Sequence, residues 1–118
     1  MIWEKGVGQP WFQLIKEGKK TSEGRLNKGD FSNMKVGDIV FWTNKDKRIK
    51  TKIVEIVHYK TIYSMIKGER LKNVLPDPRI RTIEQGVRDV YRSPPVNYTE
   101  EKEKKFGVIA IRLKVLKH

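Results

Sequence analysis

From Phe106 to Leu116 every second side chain is apolar. Ile109, Ile111, Leu113 and Val115 point one way, Arg112 and Lys114 the other, which predicts a half-buried strand. A longer interval governs other segments. Ile62, Met65 and Ile66 recur at helical spacing behind Thr61, a residue suited to cap a helix. Trp11, Leu14 and Ile15 share one face in the same way, with Pro10 at the start and Gly18 at the end. E-R-L-K-N-V-L, ending at Pro76, predicts another short helix. T-I-E-Q-G-V-R-D-V-Y opens with Thr82 and Gln85 at capping-box spacing and is stopped by Ser93-Pro94-Pro95. Thr99, Glu100 and Glu101 open a last helical turn, where acids suit the positive helix end.

Between these lie strands predicted at 20–26, 39–42 and 48–59, separated by the turn-rich stretches 27–33, Gly37-Asp38 and T-N-K-D-K. In the third strand Arg48, Lys50 and Lys52 fall on one face, opposite Ile49 and Ile53, and beyond Lys52 that face becomes apolar at Val54 and Ile56. Residues two apart on a strand lie roughly 6.6 Å apart, so the three cations form a ladder. The order α-β-β-β-α-α-α-β needs the last strand to return to the early ones. Repeats and linkers are absent, so residues 1–118 are expected to form a single domain of the α+β class. The expected architecture is a small curled antiparallel β-barrel with short helices packed on one side.

Charge adds a partner class. With 26 Lys+Arg against 14 Asp+Glu the net charge is +12, a field that draws polyanions, nucleic acid first among them. A soluble protein from a lysine-rich proteome is the plainer alternative. The chain has no cysteine and only His58 and His118, which rules out thiolate sites and makes a histidine metal site or a Ser-His-Asp triad unexpected. No metal or cofactor is expected. No stretch is long and apolar enough to span a membrane, and the N-terminus does not read as a secretory leader, so an intracellular, cytoplasmic location is expected. The oligomeric state is left open.

G-K-K-T-S-E-G-R at 18–25 is unusually charged for the start of a strand. Strand alternation would put Thr21, Glu23 and Arg25 on one face and Lys20, Ser22 and Leu26 on the other, with Glu23 and Arg25 able to pair. A surface ion pair contributes only ~0–1 kcal/mol, whereas buried charges need partners or a ligand. Spacing leaves both readings open.

The run from Trp11 to Trp42, with G-K-K-T-x-E-x-R at 18–25 and K-V-G-D-I-V-F-W at 35–42, resembles the ASCH family, whose PUA-like fold is related to RNA-binding modules. L-P-D-P-R-I-R-T-I-E-Q-G-V-R-D-V-Y and Y-T-E-E-K-E-K-K-F-G-V-I-A-I are similar to the family's closing pattern. The resemblance implies a cleft beside the first strand that takes RNA or a modified nucleoside. Lys20, Thr21, Glu23 and Arg25 would line it, with Glu84 and Gly86 opposite.

Some members resemble amidohydrolases of acetylcytidine, in which a lysine and a threonine of the charged strand act with a distant glutamate. Lys20 matches that lysine, but Glu23 stands where the threonine would be, so the nucleophile is missing. Thr21 lies on the other face from Lys20 and is no substitute. Glu84 would be the distant carboxylate, or only a helix-capping residue. Ribonuclease activity is also associated with the family. An enzyme would therefore use Lys20, Glu23 and Glu84, with Arg25 for phosphate charge.

A binding module needs less. Arg48, Lys50 and Lys52, with Lys45 and Lys47, would hold phosphates, and Trp42 or Trp3 would stack on bases unless they belong to the core. Trp11 is assigned to the core, and Tyr59, Tyr63, Tyr91 and Tyr98 are undecided. Lys102, Lys104 and Lys105 alternate with Glu101 and Glu103 and read as a solvated face, as do Lys114 and Lys117. Docking of an acidic protein is a third reading that nothing in the sequence favours.

Overall fold

The computed structural model describes residues 1–117; His118, one of the two histidines considered above, lies outside them. Along the chain run β1 (Ile2–Gly6), α1 (Trp11–Lys16), β2 (Ser22–Leu26), a 3₁₀ turn (Gly29–Asn33), β3 (Ile39–Asn44) and β4 (Lys47–Tyr59). Then follow α2 (Ile62–Glu69), α3 (Leu71–Val74), α4 (Ile83–Gly86), a π-helical turn (Val87–Tyr91), α5 (Glu100–Phe106) and β5 (Val108–Val115). The strands make one sheet in the order β1-β3-β4-β5-β2, curled into a half-barrel with short helices, an α+β fold of the PUA-like type.

One strand pair differs from the expected antiparallel pattern. β1 runs parallel to β3, and every other neighbour is antiparallel. β1 itself was not predicted, because it is an edge strand whose alternation never exceeds partial burial, with Ile2 68% exposed. Besides its ladder to β3, a polar contact holds it: the Trp3 indole donates to Asp38 at 2.9 Å.

The concave surface of the sheet is packed by Val40, Trp42, Ile49, Ile53, Ile109 and Ile111, with Phe12 and Ile15 of α1 closing one opening. Trp42 is therefore a core residue, 0% exposed, and not a stacking platform. Its indole donates to Thr51 Oγ1 (3.0 Å), whose hydroxyl donates in turn to the Val40 carbonyl (2.8 Å), so the ring's one polar atom is satisfied inside the core. A second cluster covers the opposite face of β2 and β5, where Leu26, Val108 and Ala110 meet Ile62, Met65 and Ile66 of α2. Because both faces are covered there, Val108 to Ile111 are all buried, and only from Arg112 onward is β5 the half-buried strand expected.

β4 is interrupted by a bulge between Ile53 and Glu55. The extra residue flips the side-chain parity. Ile53 pairs with Leu113 before the bulge and Ile56 with Ile111 after it, so both face the core. Ile56 therefore leaves the face of the cation ladder, contrary to the simple alternation, and Val54 is left outward.

The helix starts follow their caps. Thr61 and Ser64 form a reciprocal box, while Thr82 accepts from the Gln85 amide and the Gln85 side chain turns instead to the Arg81 amide. In α5, Glu103 departs from the expected solvated face. It is buried and accepts from the Ile62 amide at 2.6 Å, capping α2 from outside its own sequence.

Gly68 shows two effects in competition. An added Cβ would lie 2.6 Å from the Tyr59 ring and hydroxyl, and that hydroxyl is held by Glu69 at 2.5 Å. Alanine should gain about 1 kcal/mol of helix propensity in α2, but overpacking against a held ring costs about 1–3 kcal/mol. Gly68→Ala is expected to lower the urea midpoint with an unchanged m-value. A raised midpoint would mean that Tyr59 gives way freely.

Candidate functional site

After α1 the chain reverses tightly: the Lys19 and Lys20 amides both donate to the Leu14 carbonyl at 3.0 Å. The turn brings Lys20 inward before β2 begins at Ser22. Strand alternation thus does not apply to Lys20, and it shares a side with Glu23, contrary to the expectation from spacing. Its side chain is 1% exposed. Nζ lies 3.3 Å from Glu23 Oε1, donates to the Ser22 carbonyl (3.0 Å) and to the Val74 carbonyl, and stands 5.5 Å from the Trp11 ring centroid.

The other carboxylate oxygen of Glu23 accepts from Arg25 Nη2 at 3.0 Å. Arg25 lies over Phe31 and Trp42 at 4.9 and 5.6 Å and reaches the Gly6 carbonyl at 3.5 Å, bridging the two outer edges of the half-barrel. Burial lowers the pKa of Lys20, against the pull of Glu23. Burial alone would raise Glu23, but Lys20 and Arg25 outweigh it and hold the carboxyl below its ordinary value. Arg25 is lowered by burial and more than restored by Glu23. Glu23 is thus an ionised carboxylate fixed between two cations.

These three side chains line a cavity of about 340 Å³. Trp11 forms part of its wall, which corrects the assignment of that ring to the core. Tyr91 and Tyr98 form another part, stacked at 6.1 Å with planes 20° apart. Burial, with the charge of Glu23 adding to it, pushes the Tyr91 phenol well above its ordinary pKa.

Gly24 completes the site. On either side of it the Thr21 carbonyl accepts from the Leu113 amide of β5 and the Asn27 amide donates to Gly107 just before β5. This sets the ladder so that the backbone groups of Ser22, Gly24 and Leu26 face the free edge. The Ser22 carbonyl is taken by Lys20 and the Leu26 carbonyl by the Lys28 amide. Gly24 leaves its N–H and C=O on the cavity side. A Cβ here would approach Tyr91 Oη to 3.2 Å and collide with Met65, so only glycine lets the helical layer come this close.

The other predicted residues lie elsewhere. Thr21 is exposed on the opposite side of β2, beside Glu69 and Arg112. Glu84 is exposed on α4 and does not line the cavity; Gly86 is buried behind the wall against Leu75. Arg48, Lys50 and Lys52 occupy the outward face of β4, where Arg48 covers Phe41 at 3.9 Å, and none lines the cavity. Lys45 and Lys47 are exposed at the turn before them. Lys20, Glu23 and Arg25 are brought together; the ladder and Glu84 are not. Sequence reasoning missed the roles of Trp11, Tyr91, Tyr98 and Gly24 at the cavity. Among the described residues no group of three or more His, Cys, Asp or Glu could hold a metal ion, and no helix is long and apolar enough to cross a membrane.

The family model described as ASCH domain matches residues 6–117. Among solved structures, the crystal structure of hypothetical protein PH0355 superposes with a TM-score of 0.86 at 39% identity, over 98% of this chain and 100% of that one. The solution NMR structure of protein PF0455 from Pyrococcus furiosus does so with a TM-score of 0.78 at 37% identity, over 100% of both chains. No match was found among curated proteins.

Proposed function

The chain belongs to the ASCH domain family, and from that premise we propose that it binds a nucleobase in the cavity beside β2, carried by RNA or by a modified nucleoside. One observation carries the reading: a Lys20–Glu23–Arg25 cluster, its lysine and glutamate buried, faces a cavity walled by aromatic rings along an unpaired strand edge. A buried lysine and glutamate are costly for stability alone, and a hydrophobic replacement would usually serve the fold as well. A flat heteroaromatic ligand makes use of every part. Its face stacks on Trp11, and its edge meets donors and acceptors in fixed positions. Glu23 accepts from amino or imino groups, and the Gly24 N–H and C=O offer one donor and one acceptor. The cavity lies at the small end of ordinary ligand sites, about 300–1,000 Å³, which suits a base and not a folded partner. The +12 charge favours a polyanionic carrier for that base.

The hydrolase alternative finds less support. No serine or threonine lines the cavity, and Glu84 lies outside it. Lys20 is occupied by two carbonyls and Glu23.

Calorimetric titration with the common nucleosides, acetylcytidine and a short single-stranded RNA tests the reading, with the RNA samples then run on a denaturing gel. Saturable binding with intact RNA is expected. Trp11→Ala should weaken it by about 1–3 kcal/mol, the worth of one base–aromatic stack. Equal affinity in wild type and Trp11→Ala would remove the cavity from the reading. RNA shortened by the wild type but intact with Lys20→Ala would replace binding with cleavage.

A further inference from the structure

Resting on that reading, we propose that a single-stranded RNA, with one base in the cavity, leaves past Tyr98 and runs over Lys28 and Phe106 to the groove between α2 and α5, and does not follow the Arg48–Lys52 ladder. Continuity of the surface supports the path. Tyr98 belongs both to the nucleobase cavity and to a neighbouring depression of about 540 Å³ lined by Lys5, Lys28 and Phe31. Lys28 Nζ in turn stands 5.1 Å from the centre of the Phe106 ring, and Phe106 lines the next groove, about 760 Å³, with Tyr63, Lys60 and Lys104. The Asn27 amide, bonded to the Gly107 carbonyl at 3.0 Å, ties the two together.

Along this path aromatic rings and cations predominate, the acids Asp30 and Glu103 being paired with Lys5 and Arg92 and Glu100 standing at the rim. Proteins hold single strands in this way, with rings meeting bases and lysines meeting phosphates. Phe106 is flanked by two ammonium groups, Lys28 at 5.1 Å and Lys105 at 5.2 Å. Among the described residues Lys28, Lys60, Lys104 and Lys105 have no carboxylate within ion-pairing distance, so their charge is free for an anion. Tyr63, 43% exposed, offers a face at the far end. The ladder is equally cationic, but its residues line neither the cavity nor either depression.

Two charge-reversal variants decide between the paths: Lys28→Glu with Lys105→Glu, and Lys50→Glu with Lys52→Glu. Both change exposed or half-exposed side chains, and circular dichroism checks that each folds. Titrations use free nucleosides and a short labelled single-stranded RNA at several salt concentrations. For the first variant, RNA affinity should fall more than about tenfold, and the slope of log K against log salt should shrink by about 0.7 for each phosphate no longer neutralised. Nucleoside affinity should stay at the wild-type value, and the second variant should bind RNA as the wild type does. Loss of RNA affinity in the second variant but not the first would overturn the path in favour of the ladder. Unchanged RNA affinity in both, with nucleosides still bound, would overturn the path and leave the cavity. No nucleoside binding by the wild type would remove the underlying reading instead.

Discussion

Glu23→Ala should destabilise the protein by about 3–5 kcal/mol, the usual cost of stripping one partner from a buried ion pair. The alanine leaves Lys20, 1% exposed at its side chain, with two carbonyls and no counter-charge. Arg25 suffers less, since it is partly exposed and keeps Phe31 and the Gly6 carbonyl. The deficit should have its own pH signature. Lys20 without Glu23 has its folded pKa depressed further by burial, so the unfolded chain binds the extra proton. Stability of the variant then rises as pH climbs toward the ordinary lysine value. A Lys20→Met/Glu23→Leu double variant removes both charges and should regain most of the loss. If the charges serve a ligand, this well-folded double variant binds no nucleoside. Urea unfolding and calorimetry on the same three proteins separate the two roles. A Glu23→Ala variant of wild-type stability would show that Lys20 finds water after all.

Glu69→Ala should also be strongly destabilising, for a different reason: about 1–3 kcal/mol for each hydroxyl left without its acceptor. Glu69 is a hub: it accepts from Ser22 Oγ (2.8 Å), Tyr59 Oη (2.5 Å), and Arg112 Nε and Nη2 (2.8 and 2.9 Å). Its removal leaves the Ser22 and Tyr59 hydroxyls without their acceptor and Arg112 with Glu55 alone, between β2, β4, β5 and α2. Burial would raise its pKa, but the bonds from Arg112, Tyr59 and Ser22 outweigh that and bring it to about 2. A carboxyl with a depressed folded pKa contributes stability above its unfolded value, near 4.5, and loses it as pH falls toward about 2. That linkage is worth at most about 3 kcal/mol, on the order of 1.4 kcal/mol per pH unit. Urea midpoints followed from pH 5 downward should therefore drop for the wild type and drop less for Glu69→Gln. Parallel curves would assign acid lability to other carboxylates, with Asp38, also held at about 2 by the Trp3 indole and the Lys35 amide, first among them.

Much of this architecture is legible in the chain, and the failures have local causes. Threonine caps and the alternation of β5 can be read because they depend on neighbours in sequence. The edge strand β1 cannot, since its partner is Ile39–Thr43 and its own residues are only half-buried. Trp11 and Trp42 exchanged roles because an indole in the core and one on a cavity wall look alike until topology assigns them. Composition marked the two lysines at 19 and 20 equally, yet only the reversal after α1 sends one of them inward. Glu84 carries a helix-start position and a resemblance, and in the fold it stands exposed in the first turn of α4 while Thr82 and Gln85 make the cap. The bulge in β4 left no trace in the alternation, because Val54 and Ile56 are both apolar. Glu23 with Arg25 was the most readable part of the site, being two residues apart on one strand.

The gap in the half-barrel has a mechanical meaning. Each neighbouring pair of strands in the sheet is joined by a backbone ladder, but between the edges of β1 and β2 the links are side chains: Arg25 to the Gly6 carbonyl, and Lys5 to Asp30 on the turn that follows β2. The molecule is therefore a split ring, stiff around its circumference and compliant at one slit. Widening at that slit would break no ladder hydrogen bonds, so it is the least costly place for the ring to open. A ligand entering there needs no hinged lid, because the ring itself is the spring.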